Sequence, residues 1–504
     1  MTTKFINKFY GGITRDEKSK LVGVASNVEE LDILENSDFI RPSQIMSADA
    51  LPASTEVYSY TADNADTVFG YGRNTANDRV RIVSVANGGG SNPGAFATLF
   101  TAASVTYYAG SPIEYHRSDT GDANRLYWLS ISGSTVSLNY CTTAGASETS
   151  VGTLTGLDGT HDRLFMRRIF GELFVGNGQY IARVDKSGTF TEKAFTLPGG
   201  WEAVDLCEAG ASALVLARNV NRLMNSSKGY FWDLTSLTQF DDSFDIPFGG
   251  PQWLIKHRET IKIMCAINGE ARFWQVSAYA GGVPAQLPGL VLSNIATEGA
   301  TQAISSQKMV TVKDDIIYFG IYKTDKTGIY AIGQLDSNKN HALYLAKRFH
   351  TSDYSLHTPY GLLAQGANFY GAFDDNGTKS NTRCETLNSP TRSSNATYET
   401  LWLDEDNPTT LKKLVEVFAV TQPLGASTSL ACSVASDYGA YVSVTRADGT
   451  ALNATSATLG TFVPKIAGVK SFKIRLVFTS SGTTAIKLVG VGWTAMQELT
   501  PARK

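Results

Sequence analysis

Cysteine is scarce in this chain of 504 residues, and the few that occur form no recognisable framework. The five cysteines are odd in number and widely spaced, and no CxxC pair is present. This usage argues against a disulfide-stapled fold and a thiolate zinc motif, and it indicates synthesis in a reducing compartment. We therefore expect free, mostly buried thiols at Cys141, Cys207, Cys265, Cys384 and Cys432.

An excess of positive charge is also missing. The formal net charge is −3 and the sequence pI is about 6.1, so bulk electrostatics give no support to a nucleic-acid-binding role. No run approaches the ~18 apolar residues of a membrane span. The opening sequence MTTKFINKFYGG lacks the apolar segment of a secretory signal. We expect a protein that is made in the cytoplasm and is either soluble or assembled into something large.

Familiar catalytic patterns are absent as well. The chain contains no GxxxxGKS/T, GxGxxG, HExxH or GxSxG. Its six histidines do not pair at metal-ligand spacing, and the closest two, His350 and His357, are seven residues apart. The sequence therefore predicts no catalytic residue, no cofactor and no metal site, and hence a protein that is not an enzyme.

Acidic residues gather in four short stretches. Asp and Asn are expected in turns between strands, so solvated turns are the favoured interpretation. The DDNG sequence at 374–377 could donate oxygens to calcium, but it lacks the further carboxylate of a complete loop. Two carboxylates could also cleave a glycan, although nothing favours one pair. The stretches contain Asp119 and Asp122; Asp241, Asp242 and Asp245; Asp374 and Asp375; and Asp404, Glu405 and Asp406.

Tryptophans and basic doublets allow two functional interpretations, neither of which we favour. The seven tryptophans could form carbohydrate platforms, but four lie in or beside strands with alternating apolar neighbours, which favours core packing. The doublets Arg167-Arg168 and Lys412-Lys413 are predicted to be solvated charge. The tryptophans are Trp128, Trp201, Trp232, Trp253, Trp274, Trp402 and Trp493.

Strand signals are what the sequence has in abundance. Residues Met309–Lys347 contain four short apolar runs separated by the polar turns KDD, KTDKT and DSNKN. Runs rich in Ile, Val, Tyr and Phe and punctuated by Asp, Asn and Ser indicate an antiparallel meander. Four strands in about 40 residues make one blade of a β-propeller or one sheet of a sandwich.

Comparable units recur between about residue 55 and residue 400. Strand landmarks, six of the seven centred on an aromatic residue, lie 42 to 57 residues apart, and a period near 50 is typical of four-stranded blades. Six or seven blades are predicted, while a two-sheet or β-helical arrangement of the same strands remains open. The landmarks are Tyr71, Tyr127, Tyr180, Phe231, Phe273, Tyr330 and Arg383.

The two ends of the chain differ from this repeat. Residues 1–50 have no clear period and are predicted to be an extended N-terminal arm, and residues 51–402 are the predicted propeller. Longer strands after residue 402, such as SFKIRLVF with its alternating apolar residues, predict a small β-sandwich over 403–496 and a polar tail over 497–504. The predicted fold class is all-β: a propeller with a C-terminal sandwich and an N-terminal arm.

Three segments resemble virion tail proteins of tailed bacteriophages, specifically propeller-bearing tail nozzle or tail hub components. They are FYGGITRDEKSK…ASNVEELDILENSDFIRPSQ near the N-terminus, ATEGATQAISSQKMVTVKDDIIYFG…TGIYAIG in the middle, and TLWLDEDNPTTLKKLVEVFAVTQPLGASTSLACSVASDYG after the repeat. The resemblance implies a structural protein of the virion, made in the host cytoplasm. Its copies would form a cyclic homo-oligomer around the DNA exit channel, contact other tail or portal and adaptor proteins, and let the genome pass during ejection.

Two other functions compete with this hypothesis. The Trp and Asp content is compatible with a propeller that binds or cleaves host-surface glycans. A cellular scaffold that binds a protein partner is the third possibility, because a propeller fold alone does not fix a function.

Overall fold

The computed structural model describes residues 2–498 apart from short gaps, and every structural statement below concerns the described residues. The gaps are residues 8, 10–11, 14–23, 35–38, 49, 91–92, 109, 118–123, 146–147, 158–162, 221–225, 280–281, 296–308, 322, 324–326, 335–340, 349–356, 376–377, 385–391, 406, 454–456 and 482–483.

All the extended regular elements in these residues are β-strands, which confirms the predicted all-β class. The first seven strands are β1 Thr2–Ile6, β2 Gly12–Ile13, β3 Val24–Ala25, β4 Asn27–Glu29, β5 Leu31–Asp32, β6 Arg41–Pro42 and β7 Ser47–Ala48. The next twelve are β8 Thr55–Ala62, β9 Val68–Asn74, β10 Arg79–Val85, β11 Ala97–Thr106, β12 Ile113–His116, β13 Arg125–Ser132, β14 Thr135–Thr142, β15 Thr149–Leu154, β16 Met166–Ile169, β17 Glu172–Asn177, β18 Tyr180–Val184 and β19 Phe190–Thr196.

The second half of the chain continues in the same way. Strands up to residue 384 are β20 Trp201–Ala209, β21 Ser212–Asn219, β22 Ser227–Trp232, β23 Asp242–Ile246, β24 Pro251–His257, β25 Thr260–Ile267, β26 Glu270–Ser277, β27 Ala285–Ser293, β28 Val310–Lys313, β29 Ile316–Ile321, β30 Gly328–Gly333, β31 Ala342–Lys347, β32 His357–Gln365, β33 Asn368–Asp375 and β34 Thr378–Cys384. The last are β35 Ala396–Glu399, β36 Lys412–Thr421, β37 Ser429–Ser436, β38 Val442–Val444, β39 Leu459–Phe462, β40 Ile466–Val469, β41 Phe472–Thr479 and β42 Leu488–Gln497.

The chain divides into two compact units that do not follow the predicted domain boundaries at residues 50 and 402. Unit 1 consists of Met1–Ile45, Ile329–Arg348 and Ser389–Lys504, and unit 2 consists of Met46–Gly328 and Phe349–Asn388. The reason for the difference is strand pairing across long sequence separations, which local sequence patterns do not reveal.

Unit 2 is built from four-stranded antiparallel sheets of the kind found in propeller blades. Five sheets use consecutive strands, β8–β11, β12–β15, β16–β19, β20–β23 and β24–β27, and a sixth has the order β32-β33-β34-β7. The first strands of successive sheets are neighbours, from β8 through β12, β16, β20, β24, β28 and β32 back to β8. The sheets therefore follow one another in a closed circle, and β7 joins the early chain to the last sheet.

Apolar side chains fill the spaces between neighbouring sheets of unit 2. Leu129 and Leu138 pack with Leu173 and Val175 in one such core, and all four are fully buried. The Trp232 ring lies 4.8 Å from the Phe195 ring in the next. A single four-stranded sheet cannot bury both of its faces, so each sheet depends on its neighbours.

The stretch Met309–Lys347, predicted to be one blade, is divided between the units. Its hairpin β28–β29 belongs to unit 2, whereas nearly all of the hairpin β30–β31 belongs to unit 1. The number of blades therefore stays a prediction.

Unit 1 contains two main sheets. One has the order β1-β42-β36-β39, with β40 also paired to β36; the other has the order β30-β31-β4-β35-β41-β37-β38 within this unit. Phe472 of β41 and Trp493 of β42 are buried, and their rings meet edge to face at 6.2 Å. The description of residues 403–496 as a sandwich remains a prediction.

The N-terminal segment supplies an interior strand of unit 1. Strand β4 pairs with β31 in parallel and with β35 antiparallel, and β1 pairs with β42. Val28, Leu31 and Ile33 are almost completely buried. The predicted extended arm is thus folded into the unit over these residues. Strands of two to five residues are too short to show a period in the sequence, which explains why an extended arm was predicted here.

Candidate functional site

A charge pair joins three of the neighbouring first strands of the unit 2 sheets, β16, β20 and β24; the first strands β8, β12, β16, β20, β24, β28 and β32 are called the inner strands below. Asp205 of β20 has no exposed surface, and its carboxylate accepts two bonds from Arg167 of β16, at 3.0 Å from Nε and 2.9 Å from Nη2. The backbone N–H groups of Leu206 and of Leu254, on β24, also donate to it at 2.8 and 3.0 Å. Each carboxylate oxygen therefore receives two donors, which suits an anchor between blades better than an acid or base that meets a substrate.

Other inner strands of unit 2 are linked by neutral side chains. The Ser59 hydroxyl of β8 donates to the carbonyl of Ser111, which precedes β12, at 2.8 Å. The Ala364 N–H of β32 donates to the Thr311 hydroxyl of β28 at 3.2 Å. Hydroxyl groups at these positions satisfy backbone groups across the space between sheets. The polar residues of the inner strands thus serve the closure of the circle.

Unit 1 has its own buried charged cluster, which joins its three chain segments. The Glu30 carboxylate forms an ion pair with Arg348 and accepts a hydrogen bond from the Ser393 hydroxyl. Burial raises the pKa of Glu30, and the Arg348 charge opposes that shift. Glu30 belongs to the first segment, Arg348 to the second and Ser393 to the third. The cluster therefore ties the N-terminal segment to residues more than 300 positions away in the chain.

A second ion pair strengthens the same junction. The Arg392 guanidinium lies 3.0 Å from the Asp32 carboxylate and also donates to the Pro42 carbonyl at 3.2 Å. The Ser43 hydroxyl donates to the Ala346 carbonyl at 2.6 Å. Breaking one member of a buried charge pair is strongly destabilising because the other charge is left uncompensated. Sequence reasoning missed this cluster; the only signal was acidic residues interleaved with apolar ones in NVEELDIL.

The sequence predicted solvated charge at both basic doublets, and this prediction is wrong for one residue of each. Arg167 is bound to the buried Asp205, and Lys412 is 1% exposed. The Lys412 ammonium donates to the carbonyls of Asn407, Thr410 and Lys470 at 2.7 to 2.9 Å, and burial lowers its pKa. Alternation along a strand sends one residue of a doublet inward and its neighbour outward.

The histidines do not come together into a site in the described residues. His116 on β12 and His257 on β24 are both buried, and burial lowers the pKa of each imidazole. The His257 Nε2 lies 2.9 Å from the Asp315 carbonyl oxygen. His161 and His350 lie outside the described residues, and so does the side chain of His357.

The acidic stretches are partly described, and their described members act in turns and at strand ends. The Asp242 carboxylate accepts the Ser243 N–H at 2.8 Å, and Asp245 lies 3.3 Å from the Lys228 ammonium. Glu405 accepts the Trp493 indole N–H at 2.6 Å. Asp119, Asp122, Asp406 and the side chains of Asp374 and Asp375 lie outside the described residues. Among the residues that are described, no group of three His, Cys, Asp or Glu side chains is placed to hold a metal ion.

Five of the seven tryptophans are buried, as the core-packing interpretation predicts; these are Trp128, Trp232, Trp253, Trp274 and Trp493. Trp201 and Trp402 are partly exposed. Four cysteines are free and buried, which confirms the expectation for Cys141, Cys207, Cys265 and Cys432. Within the described residues, no helix has the length and hydropathy needed to cross a bilayer.

Comparison with known proteins finds likeness at the level of fold. No protein-family model and no curated protein matches the chain. Among solved structures, puromycin hydrolase is 12% identical with a TM-score of 0.42, and the match covers 71% of this chain and 61% of that one. A polysaccharide lyase is 9% identical with a TM-score of 0.40, covering 77% of this chain and 99% of that one.

A third match is a GH43 β-1,3-galactosidase, 9% identical with a TM-score of 0.32, covering 62% of this chain and 99% of that one. These structures bear on the prediction that the chain is not an enzyme, and we correct that prediction. Several of the matched structures are named as enzymes, and this finding overturns the prediction. Fold likeness at this identity assigns no particular activity and no catalytic residue.

Proposed function

We propose that the chain is a structural component of a bacteriophage tail. One observation carries the proposal: two of the three segments that resemble tail proteins lie far apart in sequence but belong to one compact unit. The first, at 9–44, and the third, at 400–439, lie in unit 1. The second is divided, because residues 329–333 belong to unit 1 and residues 309–328 to unit 2, while residues 296–308 lie outside the described residues. The shared location of the first and third segments supports treating those two as one module.

The proposal includes a cyclic homo-oligomer that contacts other tail or portal and adaptor proteins around the genome channel. Unit 1 has strands at sheet edges that support this part of the proposal. Among the described strands, β1 is the edge strand of one sheet and β38 is the edge strand of the other. Edge strands are the usual place where a second chain adds to a sheet. A closed ring requires such heterologous contacts between copies.

Imaging of virions tests this proposal. Purified particles would be labelled with antibody fragments against unit 1 and examined by cryo-electron microscopy, and the recombinant chain would be weighed by mass photometry. We expect label at the tail and a discrete oligomer at micromolar concentration. A chain that is monomeric and missing from purified particles would overturn the proposal.

A second candidate is a protein that binds or cleaves surface glycans. A specific feature favours it: unit 1 carries an exposed tyrosine, Tyr438, whose ring lies 4.5 Å from the Trp402 ring, and the Lys473 ammonium lies 5.5 Å from the Trp402 ring. Aromatic rings with nearby polar groups suit ligands that have one apolar face and many hydroxyls. A glycan array and an assay for released reducing ends separate binding from cleavage. No signal in either assay would count against this candidate.

A further inference from the structure

Unit 2 buries two histidines at the ends of inner strands, where they can be compared directly. His116 is the last residue of β12 and has no exposed surface, and His257 is the last residue of β24 and is 7% exposed. Each of these strands begins a four-stranded sheet. The two residues occupy equivalent places in the fold, so differences between them come from their neighbours.

The His116 ring has no hydrogen-bond partner. Neither its Nδ1 nor its Nε2 makes a hydrogen bond within the described residues, although both nitrogens are buried. The ring packs edge to face against the Tyr127 ring of β13, with 5.9 Å between the ring centres. Buried polar groups nearly always have a partner, and a buried charge without one is costly. A proton added to this ring would therefore create a cation that no acceptor receives.

Charged groups of two neighbouring sheets surround this ring. Burial lowers the pKa of His116, the Arg168 charge of β16 lowers it further, and Arg125 of β13 adds to this effect. The Asp185 backbone, in the turn between β18 and β19, and the Glu114 carboxylate raise the pKa but do not reverse its net decrease. Strands β12 and β13 belong to one sheet, and β16, β18 and β19 belong to the next. The ring thus lies at the junction of these two sheets.

The carboxylates near this strand end bind other groups. Those of Asp185 and Asp63 each accept backbone N–H groups of their own turns, and Glu114 accepts the Thr61 hydroxyl at 3.4 Å. In the described part of the chain, none of them forms a hydrogen bond or ion pair with the His116 ring. The other charged residues beside it in the sequence or in the facing turn are Arg117 and Lys186, while Asp119 and Asp122 lie outside the described residues.

His257 has the partners that His116 lacks. Its Nε2 lies 2.9 Å from the Asp315 carbonyl oxygen and 3.8 Å from the Asp315 carboxylate. Burial lowers the pKa of His257, and Lys262 and Arg258 lower it further, whereas both the backbone and the charge of Asp315 raise it. A proton on this ring would keep its acceptor and gain a nearby negative charge. The imidazolium is therefore better tolerated at His257 than at His116.

We propose that His116 makes the junction between the sheets β12–β15 and β16–β19 an acid-sensitive contact that opens locally. A proton from solvent would place a charge without an acceptor beside Arg168, and opening of the junction would let water reach the ring. The sheet that carries His257 should respond less over the same pH range. This device is independent of a role in the tail and of glycan binding.

The direction of the response follows from the two states of the ring. In the open junction the solvated His116 has its ordinary pKa of 6.5, and in the closed junction its pKa is lower. The open form therefore binds a proton first, and opening becomes more favourable as pH falls below about 6.5. Well above that pH the ring is neutral in both forms, and the junction stays closed.

Hydrogen-exchange mass spectrometry of the full-length chain tests the proposal. Exchange would be followed at about pH 7.5 and about pH 5, and each rate would be divided by the intrinsic rate of the unprotected amide at that pH. We expect local opening to increase about fivefold in peptides that cover β12–β13 and β18–β19. Peptides that cover β24–β25 should show a smaller increase.

Three substitutions assign the response. His116→Gln, which is neutral at every pH, should remove the increase at β12–β13 and β18–β19. His257→Gln is the matched control and should leave that increase unchanged, because it alters an equivalent ring in another sheet. Arg168→Gln should make the increase smaller, because it removes a charge that opposes protonation of His116. Arg168 is exposed, so this variant tests the proposal even if His116→Gln does not fold.

Three results would overturn the proposal. An unchanged increase in both His116→Gln and Arg168→Gln would mean that other groups sense the acid. Equal increases in all the sheets of unit 2 would indicate general acid destabilisation instead of a local opening. No increase at β12–β13 and β18–β19 in the unaltered chain would show that the closed junction tolerates a protonated His116.

Discussion

The two units of this chain are assembled by opposite means. In unit 2, most strands pair with the strand that follows them in the sequence, through short turns. In unit 1, strand β4 lies between β31 and β35, which come more than 300 residues later, and β1 pairs with the final strand. Local hairpins close at a small entropic cost, whereas pairings between distant segments require large loops to close first.

This difference has a consequence for how the molecule is built. The sheets of unit 2 can form as their strands are synthesised. Unit 1 requires the N-terminal segment, the β30–β31 hairpin and the C-terminal strands at the same time, because the Glu30, Arg348 and Ser393 side chains meet in one cluster. We infer that unit 1 folds completely only after both its N-terminal segment and its C-terminal strands have been synthesised.

Removal of residues 1–45 should produce the largest effect, because it abolishes the long-range strand pairing that distinguishes unit 1 from unit 2. The deletion removes β4 from the interior of a sheet and uncovers the buried partners of Val28 and Glu30. We expect unit 1 to lose its protection against hydrogen exchange almost completely, while the sheets β8–β27 keep theirs. Hydrogen-exchange mass spectrometry resolves the two units separately.

A deletion of the C-terminal residues 499–504 is the control, and it should leave both units protected. Full protection of unit 1 in the 1–45 deletion would show that β4 is dispensable. Loss of protection in unit 2 as well would show that the two units do not fold independently.

The substitution Asp205→Asn tests whether unit 2 also depends on a buried charged group, here the carboxylate that binds Arg167. The change keeps the shape of the side chain but leaves the Arg167 guanidinium without its counter-charge and replaces an acceptor by a donor. We expect the free energy of unfolding of unit 2 to fall by about 3 kcal/mol. Urea titration followed by hydrogen exchange would measure the loss, and Arg168→Ala, which removes the neighbouring charge, should change it little.

Much of unit 2 could be predicted from the sequence, because its signals are local. Turn residues and apolar runs mark its hairpins, and aromatic landmarks such as Tyr127 and Phe273 lie in its strands. Unit 1 could not be predicted in this way. The three-residue strand β4 is too short for a period, and the two partners of Glu30, Arg348 and Ser393, lie far away in the chain. The Arg167–Asp205 pair was equally hidden, because its two residues lie in different sheets and 38 residues apart in the chain.

Acid should weaken unit 2 through its buried histidines. Burial and the nearby Arg168 charge lower the pKa of His116 below the ordinary value of 6.5. The unfolded chain therefore binds a proton before the folded chain does, and the stability that the neutral imidazole provides is lost as pH falls below about 6.5. The neighbours Arg125 and Glu114 act in opposite directions on this group.

Unfolding free energies measured between pH 8 and pH 5 test this point. The change of unfolding free energy with pH should be smaller in His116→Gln than in the unaltered chain, because glutamine cannot titrate. His257→Gln provides a comparison on another inner strand, where burial also lowers the pKa of the imidazole. An unchanged slope in His116→Gln would assign the acid sensitivity to other groups.

The smallest effects are expected in the turns, where the two units resemble each other. The Asp185 carboxylate in unit 2 accepts the N–H groups of Ser187 and Thr189, both at 2.9 Å, and Asp448 in unit 1 accepts the Thr450 N–H at 3.0 Å. The Ser187 and Thr450 hydroxyls, which donate to Asp185 and Asp448 at 2.6 Å, lower the pKa of these carboxyl groups, and the N–H groups lower it further. The stabilisation is therefore present above the ordinary value of 3.8 and is lost as pH falls through the lowered pKa.

Asp185→Ala should reduce the stability of unit 2 at pH 7 by about 1 kcal/mol or less, since exposed hydrogen bonds contribute little. Asp448→Ala should give a still smaller change in unit 1, because fewer N–H groups lose their acceptor. Urea midpoints at pH 7 would measure both changes. A large loss in either variant would mean that turn chemistry holds that unit together, and long-range pairing would then no longer distinguish the two.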